Sequence, residues 1–263
     1  MKIAILFICT GKYNQFFKGF YNSCEDYFLK GKADKNYFVW SDNDEIGEGK
    51  ENVRVIHKEC AGFPADSLFR FEMFLQAEDE LKLYDYIYFF NANAAFLRPV
   101  DEEILPDETG LAIGAWGGKE ARRHPMFYAY ERNRKSLAYI PPFGKNYLNF
   151  MGGLNGGRTK EYLEMCRTLA KNIRDDYNRG IIAIAHDQSH INAFLRVHPC
   201  KVIPPEFCWP EEWKPEGFEP KIIFREKTHI DPYFNKGRDK SLVGKGKRGL
   251  NLLWGAIRWY LKF

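Results

Sequence analysis

Short runs of consecutive apolar residues alternate along this chain with longer stretches whose apolar residues recur every three or four positions. That is the order expected of a sheet with helices packed on its faces. Ile3–Cys9 reads as the first strand, Thr10–Lys12 as a loop, and Asn14–Leu29 as a helix with an aromatic stripe at Phe16, Phe17, Phe20, Tyr21 and Cys24. Tyr37–Trp40 is a short strand ending in Ser41-Asp42-Asn43-Asp44, and Val53–Ile56 is another. A helix over about Asp66–Leu83 turns Phe69, Phe71, Met73, Phe74 and Leu75 toward the sheet. Tyr86–Phe90 is a run of apolar and aromatic residues of the kind found in interior strands, and it stops abruptly at Asn91-Ala92-Asn93. Past Asp101 the pattern loosens: Leu111–Trp116 reads as a strand, and Arg122–Pro142 as an aromatic, charged loop. The segment NFMGGLNGG, Asn149–Gly157, carries too many glycines for a helix interior or a regular strand and reads as a flexible or ligand-approaching turn. Thr159–Tyr177 is helical, with Tyr162, Leu163, Cys166 and Leu169 on one face, and a further helix begins near His186.

The chain has 263 residues and is 45% hydrophobic, enough for a packed core in one large α/β domain or two small ones. Its 39 basic and 35 acidic residues leave a net charge of only +4, which argues against a dedicated nucleic-acid binder. The basic surplus is concentrated at Lys236, Arg238, Lys240, Lys245, Lys247, Arg248, Arg258 and Lys262, where acidic residues are nearly absent. Six cysteines, Cys9, Cys24, Cys60, Cys166, Cys200 and Cys208, show no CxxC spacing and read as free thiols of a cytoplasmic protein. The apolar run after Lys2 is short and lacks a small-residue cleavage site, so it reads as a strand and not a secretion signal. No run approaches the ~20 apolar residues needed to span a bilayer. The amphipathic end, with Leu252, Leu253, Trp254, Ile257, Trp259 and Tyr260 among Arg258 and Lys262, reads either as a helix packed on the body or as a peripheral contact with an anionic membrane.

Three segments are candidates for chemistry. Open α/β sheets bind ligands at the carboxyl ends of their strands, and Asn91 and Asn93 stand at such an end with both side chains on one face. Paired carboxylates there would hold a divalent cation, whereas paired amides hydrogen-bond a polar ligand. A strand end followed by an Asn-rich turn is the plainer account. The loop Cys9-Thr10-Gly11-Lys12-Tyr13 could seat a nucleotide base on Tyr13, but it is not a Walker phosphate loop. In His186-Asp187-Gln188-Ser189-His190 the two histidines share a helical face and could bind zinc, yet the zinc-peptidase pattern needs Glu after the first His and a third ligand is not evident. The structural alternative is that Asp187 or Ser189 caps the helix.

Ser67-Leu68-Phe69-Arg70-Phe71-Glu72-Met73, Asp85-Tyr86 through Phe96, Tyr130-Glu131-Arg132 with Ala138-Tyr139-Ile140-Pro141, Gly152-Gly153 with Gly156-Gly157, and His186-Asp187 with Ser189-His190 occur in an order and spacing that extend over most of Ile3–Lys227. In these the chain resembles the family 6 retaining glycosyltransferases, which include the histo-blood-group A and B transferases and the α1,3-galactosyltransferases. The resemblance implies an α/β fold of GT-A type: a Rossmann-like nucleotide-sugar domain with a mixed sheet flanked by helices. Residues 1–235 would form one catalytic domain, with donor binding in about 1–100, acceptor binding in about 101–235, and a basic amphipathic tail over 236–263. Ile8, Cys9, Thr10 and Tyr13 would lie along the uridine, and Arg70 would reach the donor sugar or diphosphate. Met151, Gly152 and Gly153 would select the sugar; glycine at 153 leaves room for an acetamido group, which points to UDP-N-acetylgalactosamine. Asp187 would hydrogen-bond the donor sugar, and Trp209 with Glu211 falls roughly where the acceptor binds, a fucosylated galactoside.

Two departures carry further expectations. Asn91-Ala92-Asn93 stands where metal-dependent members have Asp-x-Asp for manganese, so donor binding is expected to need no metal. Cationic groups must then offset the departing diphosphate, and Lys227 and Arg238 in the basic tail, folding over the donor as a lid, are the candidates. Gln188 stands where the family motif has glutamate beneath the anomeric carbon, as nucleophile or electrostatic partner of an oxocarbenium-like transition state, which is also where the acceptor approaches. An amide there implies either a member that has lost activity or a substitution that traps substrates, and the second is preferred. The implied reaction is transfer of N-acetylgalactosamine to the galactose 3-hydroxyl with retention. A non-catalytic carbohydrate-binding protein, a galactosyltransferase using UDP-galactose, and a zinc hydrolase using His186 and His190 are the alternatives.

Overall fold

A computed structural model describes residues 1–234 and 242–261. The first half lays down β1 (Lys2–Ile8), α1 (Phe17–Tyr27), β2 (Asp34–Ser41) and β3 (Val53–His57), then the short helices α2 (Ala65–Leu68), α3 (Arg70–Gln76) and α4 (Glu78–Leu81), then β4 (Tyr86–Phe90) and β5 (Ala94–Phe96). The second half continues with β6 (Leu111–Ala115), α5 (Gly118–Ala121), β7 (Phe150–Arg158), α6 (Thr159–Asn178), α7 (Asp187–Phe194), β8 (Lys201–Ile203), β9 (Trp209–Pro210), β10 (Ile222–Phe224) and α8 (Leu242–Leu261). Seven strands form one mixed sheet in the order β3-β2-β1-β4-β7-β6-β8, in which β7 runs antiparallel to both its neighbours. A smaller sheet, β5-β10-β9, sits beside it.

The period-2 alternation of β1 sorts the core into two layers. Ile3, Ile5 and Phe7 face α1 and its aromatic stripe, so that Phe7 lies 4.4 Å from Phe20 and 5.6 Å from Phe17, ring to ring. Ala4 and Leu6 point the other way, into a layer built with Phe71 and Phe74 of α3 and Tyr162, Cys166 and Leu169 of α6. Each large side chain so buried contributes about 1.5–3 kcal/mol, and both faces of the sheet are filled.

Three expectations change. The Asp66–Leu83 helix is broken at Phe69 and Ala77, where the backbone leaves helical ψ, giving α2, α3 and α4. Phe69 turns to α6 instead, 5.1 Å from Tyr177 and 4.2 Å under the Arg174 guanidinium. The expected Asn14–Leu29 helix opens with a 3-10 turn over Gly11–Phe16 before α1 begins. The largest correction is NFMGGLNGG: from Phe150 onward it is the buried strand β7 in the middle of the sheet, with one shift of register against β6 between Ile113 and Ala115. Its glycines are there because neighbouring groups occupy the side-chain positions. A Cβ on Gly156 would sit 2.3 Å from the Tyr88 ring, and one on Gly157 would sit 2.5 Å from the Gly110 carbonyl oxygen.

Candidate active site

β2 lies on one side of β1 and β4 on the other, so the chain reverses its direction of travel across the sheet between β1 and β4. A crevice opens at the carboxyl ends of strands flanking such a switch point. A cavity of about 960 Å³ occupies that place, lined by Ile8, Thr10 and Tyr13 after β1, by Asn91 and Asn93 after β4, and by Met151, Gly152 and Gly153 at the start of β7. The α2–α3 segment contributes Asp66, Ser67 and Arg70, and the turn into α7 contributes Ala185, His186, Asp187 and Gln188.

Arg70 organises the floor. It is 5% exposed, its Nη1 donates to the Gly152 carbonyl at 2.7 Å, its Nη2 pairs with Asp187, and its guanidinium lies 4.6 Å over the Phe89 ring. Burial lowers its pKa to about 10, because a desolvated cation is disfavoured. Its Nε is buried without a partner among the described residues. A Cβ on Gly152 would approach Arg70 Nη2 to 2.9 Å and Asp187 Oδ2 to 3.0 Å, so glycine at that position is what lets the ion pair close against the strand. Neither Asp187 nor Ser189 caps α7, whose N-cap position is His186 with no side-chain cap; the Ser189 hydroxyl accepts from the Ala185 N–H at 3.0 Å, ahead of the helix.

Gln188 is held as an amide. Its Nε2 donates to the Phe150 carbonyl at 2.8 Å, and Asn192 donates to the same oxygen at 2.9 Å. A carbonyl oxygen only accepts, so the partner fixes which end of the amide is nitrogen and leaves Oε1 as the end that is not tied to β7. His186 begins the helix at φ +53°, with its ring 4.8 Å from that of Phe63, and burial lowers its pKa. His190 turns away from the cavity toward Asp176, 3.6 Å distant, so the two histidines of the motif do not converge. Among the described residues no three His, Cys, Asp or Glu side chains come together as a metal cluster.

The amide pair after β4 is divided between tasks. Asn93 Nδ2 donates to the Arg225 carbonyl at 2.6 Å while the Arg225 N–H donates to the Asn93 carbonyl, so this side chain ties the return segment to β4. An aspartate could not make that bond. Asn91 faces Gly153, whose Cβ would lie 3.4 Å from its Nδ2 and 3.0 Å from the Phe224 ring. Above Tyr13, Lys227 Nζ lies 3.2 Å from the phenol oxygen and 5.1 Å from the ring centroid.

Several predicted site residues fall elsewhere. The Cys9 side chain is fully buried, its pKa pushed up to about 12 by desolvation, and Cys9 does not line the cavity. Trp209 is 2% exposed, with its indole donating to the Trp213 carbonyl, and Glu211 accepts from the Glu226 N–H; neither lines the cavity. Trp116 and Glu212 line it in their place, two positions the spacing did not single out. Asp66 was also missed: it accepts from Thr10 Oγ1 at 2.9 Å, from the Gly62 N–H at 2.9 Å and from Lys58 at 2.9 Å, binding three segments of the rim together. Its distant partner is Thr10, 56 positions away, which no local pattern connects to it, whereas Gly62 and Lys58 lie four and eight positions before it. Arg238 lies outside the described residues.

A mixed sheet flanked by helices, with a polar crevice at its switch point, defines a transferase of GT-A architecture. The model of glycosyltransferase family 6 matches residues 1–223, and the chain belongs to that family. It is 32% identical over 236 residues to the O-antigen biosynthesis glycosyltransferase WbnI of Escherichia coli, covering 89% of this chain and 99% of WbnI. It is 26% identical over 248 residues to globoside alpha-1,3-N-acetylgalactosaminyltransferase 1 of Gallus gallus, covering 91% and 70% respectively. Against histo-blood group ABO system transferase 1 of Rattus norvegicus it is 27% identical over 226 residues, spanning 61% of the rat enzyme's length. The protein is thus a hexosyltransferase that uses a nucleotide-sugar donor and a glycan acceptor.

Proposed function

We propose that this transferase moves N-acetylgalactosamine from UDP-N-acetylgalactosamine to the 3-hydroxyl of a galactose bearing fucose, with retention and without a metal ion. The observation that carries the donor assignment is Gly153 at the cavity floor, where even a methyl group would press on Phe224 and Asn91. Two relatives with this donor sugar in their names, from chicken and human, support it. The uridine runs along Ile8, Thr10 and Tyr13; Arg70 and Asp187 face the sugar, and Met151 and Gly152 complete its bed. The acceptor enters beside Gln188, with Trp116 and Glu212 on its side of the cavity in place of Trp209 and Glu211.

Metal-free binding is supported by the amide pair, which lacks the negative charge a divalent cation requires, and by the commitment of Asn93 to main chain. The described lining also carries Asp66, Asp187, Glu212 and Glu226 against Arg70 and Lys227, with Asp187 already neutralised by Arg70. A diphosphate therefore needs further cations, for which Arg238 of the basic tail is the candidate. Gln188 presents a neutral oxygen where the family places a carboxylate, so substrates bind and turnover is slow. The same amide would suit a carbohydrate-binding protein on a transferase scaffold, and one assay separates the two. Transfer from UDP-N-acetylgalactosamine and UDP-galactose to 2'-fucosyllactose is measured with the chain and its Gln188→Glu variant, in EDTA and with manganese. Variant activity in EDTA with preference for the acetamido donor is the expected result. An inactive variant that still binds the acceptor leaves the binding protein standing and the transferase reading refuted.

A further inference from the structure

The helix α8 has two apolar faces, and the body of the protein covers only one. Trp259 is 2% exposed, its indole donates to the Ile140 carbonyl at 2.7 Å, and Ala256 beside it is also buried. Tyr260 packs 5.5 Å from Phe143, and the Arg132 guanidinium lies 5.8 Å over the Trp259 ring. This seam fixes the rotation of the helix about its axis. At 3.6 residues per turn, Leu250, Leu253, Trp254, Ile257 and Leu261 then fall within an arc of about 100° on the opposite side. They are exposed there: Leu250 by 68%, Leu253 by 52%, Trp254 by 62% and Leu261 by 59%. Phe143, 70% exposed, extends the patch from the body side.

We propose that this face docks α8 on an anionic membrane surface, with the helix lying in the interfacial plane. Charge complementarity selects the occupant. The sequence carries Lys245, Lys247, Arg248, Arg258 and Lys262 after Asp239 and no acidic residue beyond that point, and Arg258 is exposed next to the apolar arc. A bilayer bearing acidic headgroups takes up an aliphatic and tryptophan face on a helix whose charged residues are all basic, whereas a second copy of the same basic helix would oppose like charges. No described helix is long and apolar enough to cross a membrane, and the buried Trp259 seam keeps α8 on the body, so the contact is peripheral. The inference is independent of which sugar is transferred.

Sedimentation of the full chain with vesicles tests it, using phosphatidylcholine alone and phosphatidylcholine mixed with phosphatidylglycerol. The expected result is binding to the mixed vesicles only, weakened by salt, and reduced on the order of tenfold or more in a Leu253→Ser/Trp254→Ser variant. Both residues are exposed, so the variant keeps its thermal midpoint and its transferase or ligand-binding behaviour in solution. Equal partitioning of the two proteins, or no sedimentation with mixed vesicles, overturns the proposal. So does a concentration-dependent dimer, seen by light scattering, that the same variant dissolves without any vesicle binding having been present.

Discussion

Replacing Gln188 by glutamate should raise activity and lower stability at once, and both magnitudes follow from the geometry. The amide donates one hydrogen bond of 2.8 Å to the Phe150 carbonyl. A carboxylate cannot donate, so that bond is lost and an anion is left facing a carbonyl oxygen. The carbonyl is not orphaned, because Asn192 still donates to it at 2.9 Å. The loss is therefore about 1 kcal/mol for the bond and about 1–3 kcal/mol once the repulsion is included. For a chain of this size that corresponds to a fall in thermal midpoint of roughly 2–10 °C. In return, a full negative charge replaces an amide dipole beneath the developing oxocarbenium ion. Electrostatic groups placed at developing charge are worth on the order of 10²–10³ in kcat. Initial rates with 2'-fucosyllactose and a thermal melt, made on the same two preparations, read both quantities. A variant no faster than the parent would refute the assigned role of position 188. A variant as stable as the parent would show that the Phe150 bond does not hold the side chain in solution.

Other outcomes follow from the same structure. Gly153→Ala should force Phe224 aside and shift the ratio of kcat/KM toward UDP-galactose by about tenfold or more, measured in the Gln188→Glu background; an unchanged ratio would separate Gly153 from donor choice. Asp187→Asn leaves the Arg70 cation buried without its counter-ion and should cost about 3–5 kcal/mol in denaturant unfolding. A loss below about 1 kcal/mol would mean the pair is open to water. His190 is 2% exposed and desolvation lowers its pKa to about 4, with Asp176 opposing the shift. The unfolded chain takes up that proton near pH 6.5 and the folded one only near 4, so the stabilisation is complete above about pH 6.5 and is lost as pH falls toward 4. The difference amounts to about 3 kcal/mol, and His190→Gln should flatten the stability profile over that window.

β1, β2, β3, β4 and β6 were legible because their apolar runs are bounded by polar punctuation, whereas the two- and three-residue strands β5, β8, β9 and β10 are too short to show a pattern. The ends of the legible strands moved by only a residue or a few. What local pattern could not convey was whether a glycine marks freedom or crowding. In Asn149–Gly157 the glycines looked like a breaker, yet Tyr88, Leu111 and Phe224 fill the spaces their side chains would need. Those neighbours are 40 to 70 positions distant, beyond any window of periodicity. The same limit applies to Asp66 and to Trp116 and Glu212, whose roles depend on which loops the sheet brings to one rim. Arg70, Asp187 and Gln188 were found through family resemblance, and the structure brings those three together at one cavity.

One strand explains why they converge. Successive main-chain carbonyls of β7 each hold a different wall of the cavity: Phe150 takes the amides of Gln188 and Asn192, Gly152 takes Arg70, and Gly153 takes the Asn91 N–H. This is possible only because β7 enters the sheet antiparallel, so its first residues lie beside the carboxyl end of β4. A parallel strand at that place would present its last residues there and its carbonyls in another register. The same packing accounts for the glycines at 152 and 153: a Cβ on Gly152 would crowd the Arg70–Asp187 pair, and one on Gly153 would crowd Phe224 and Asn91. Gln188, Arg70 and the strand-end Asn91 are thus set by one piece of main chain. Side chains that meet the cavity beside this main chain, Met151 and Gln188 among them, can then be replaced while the frame that aims them stays in place.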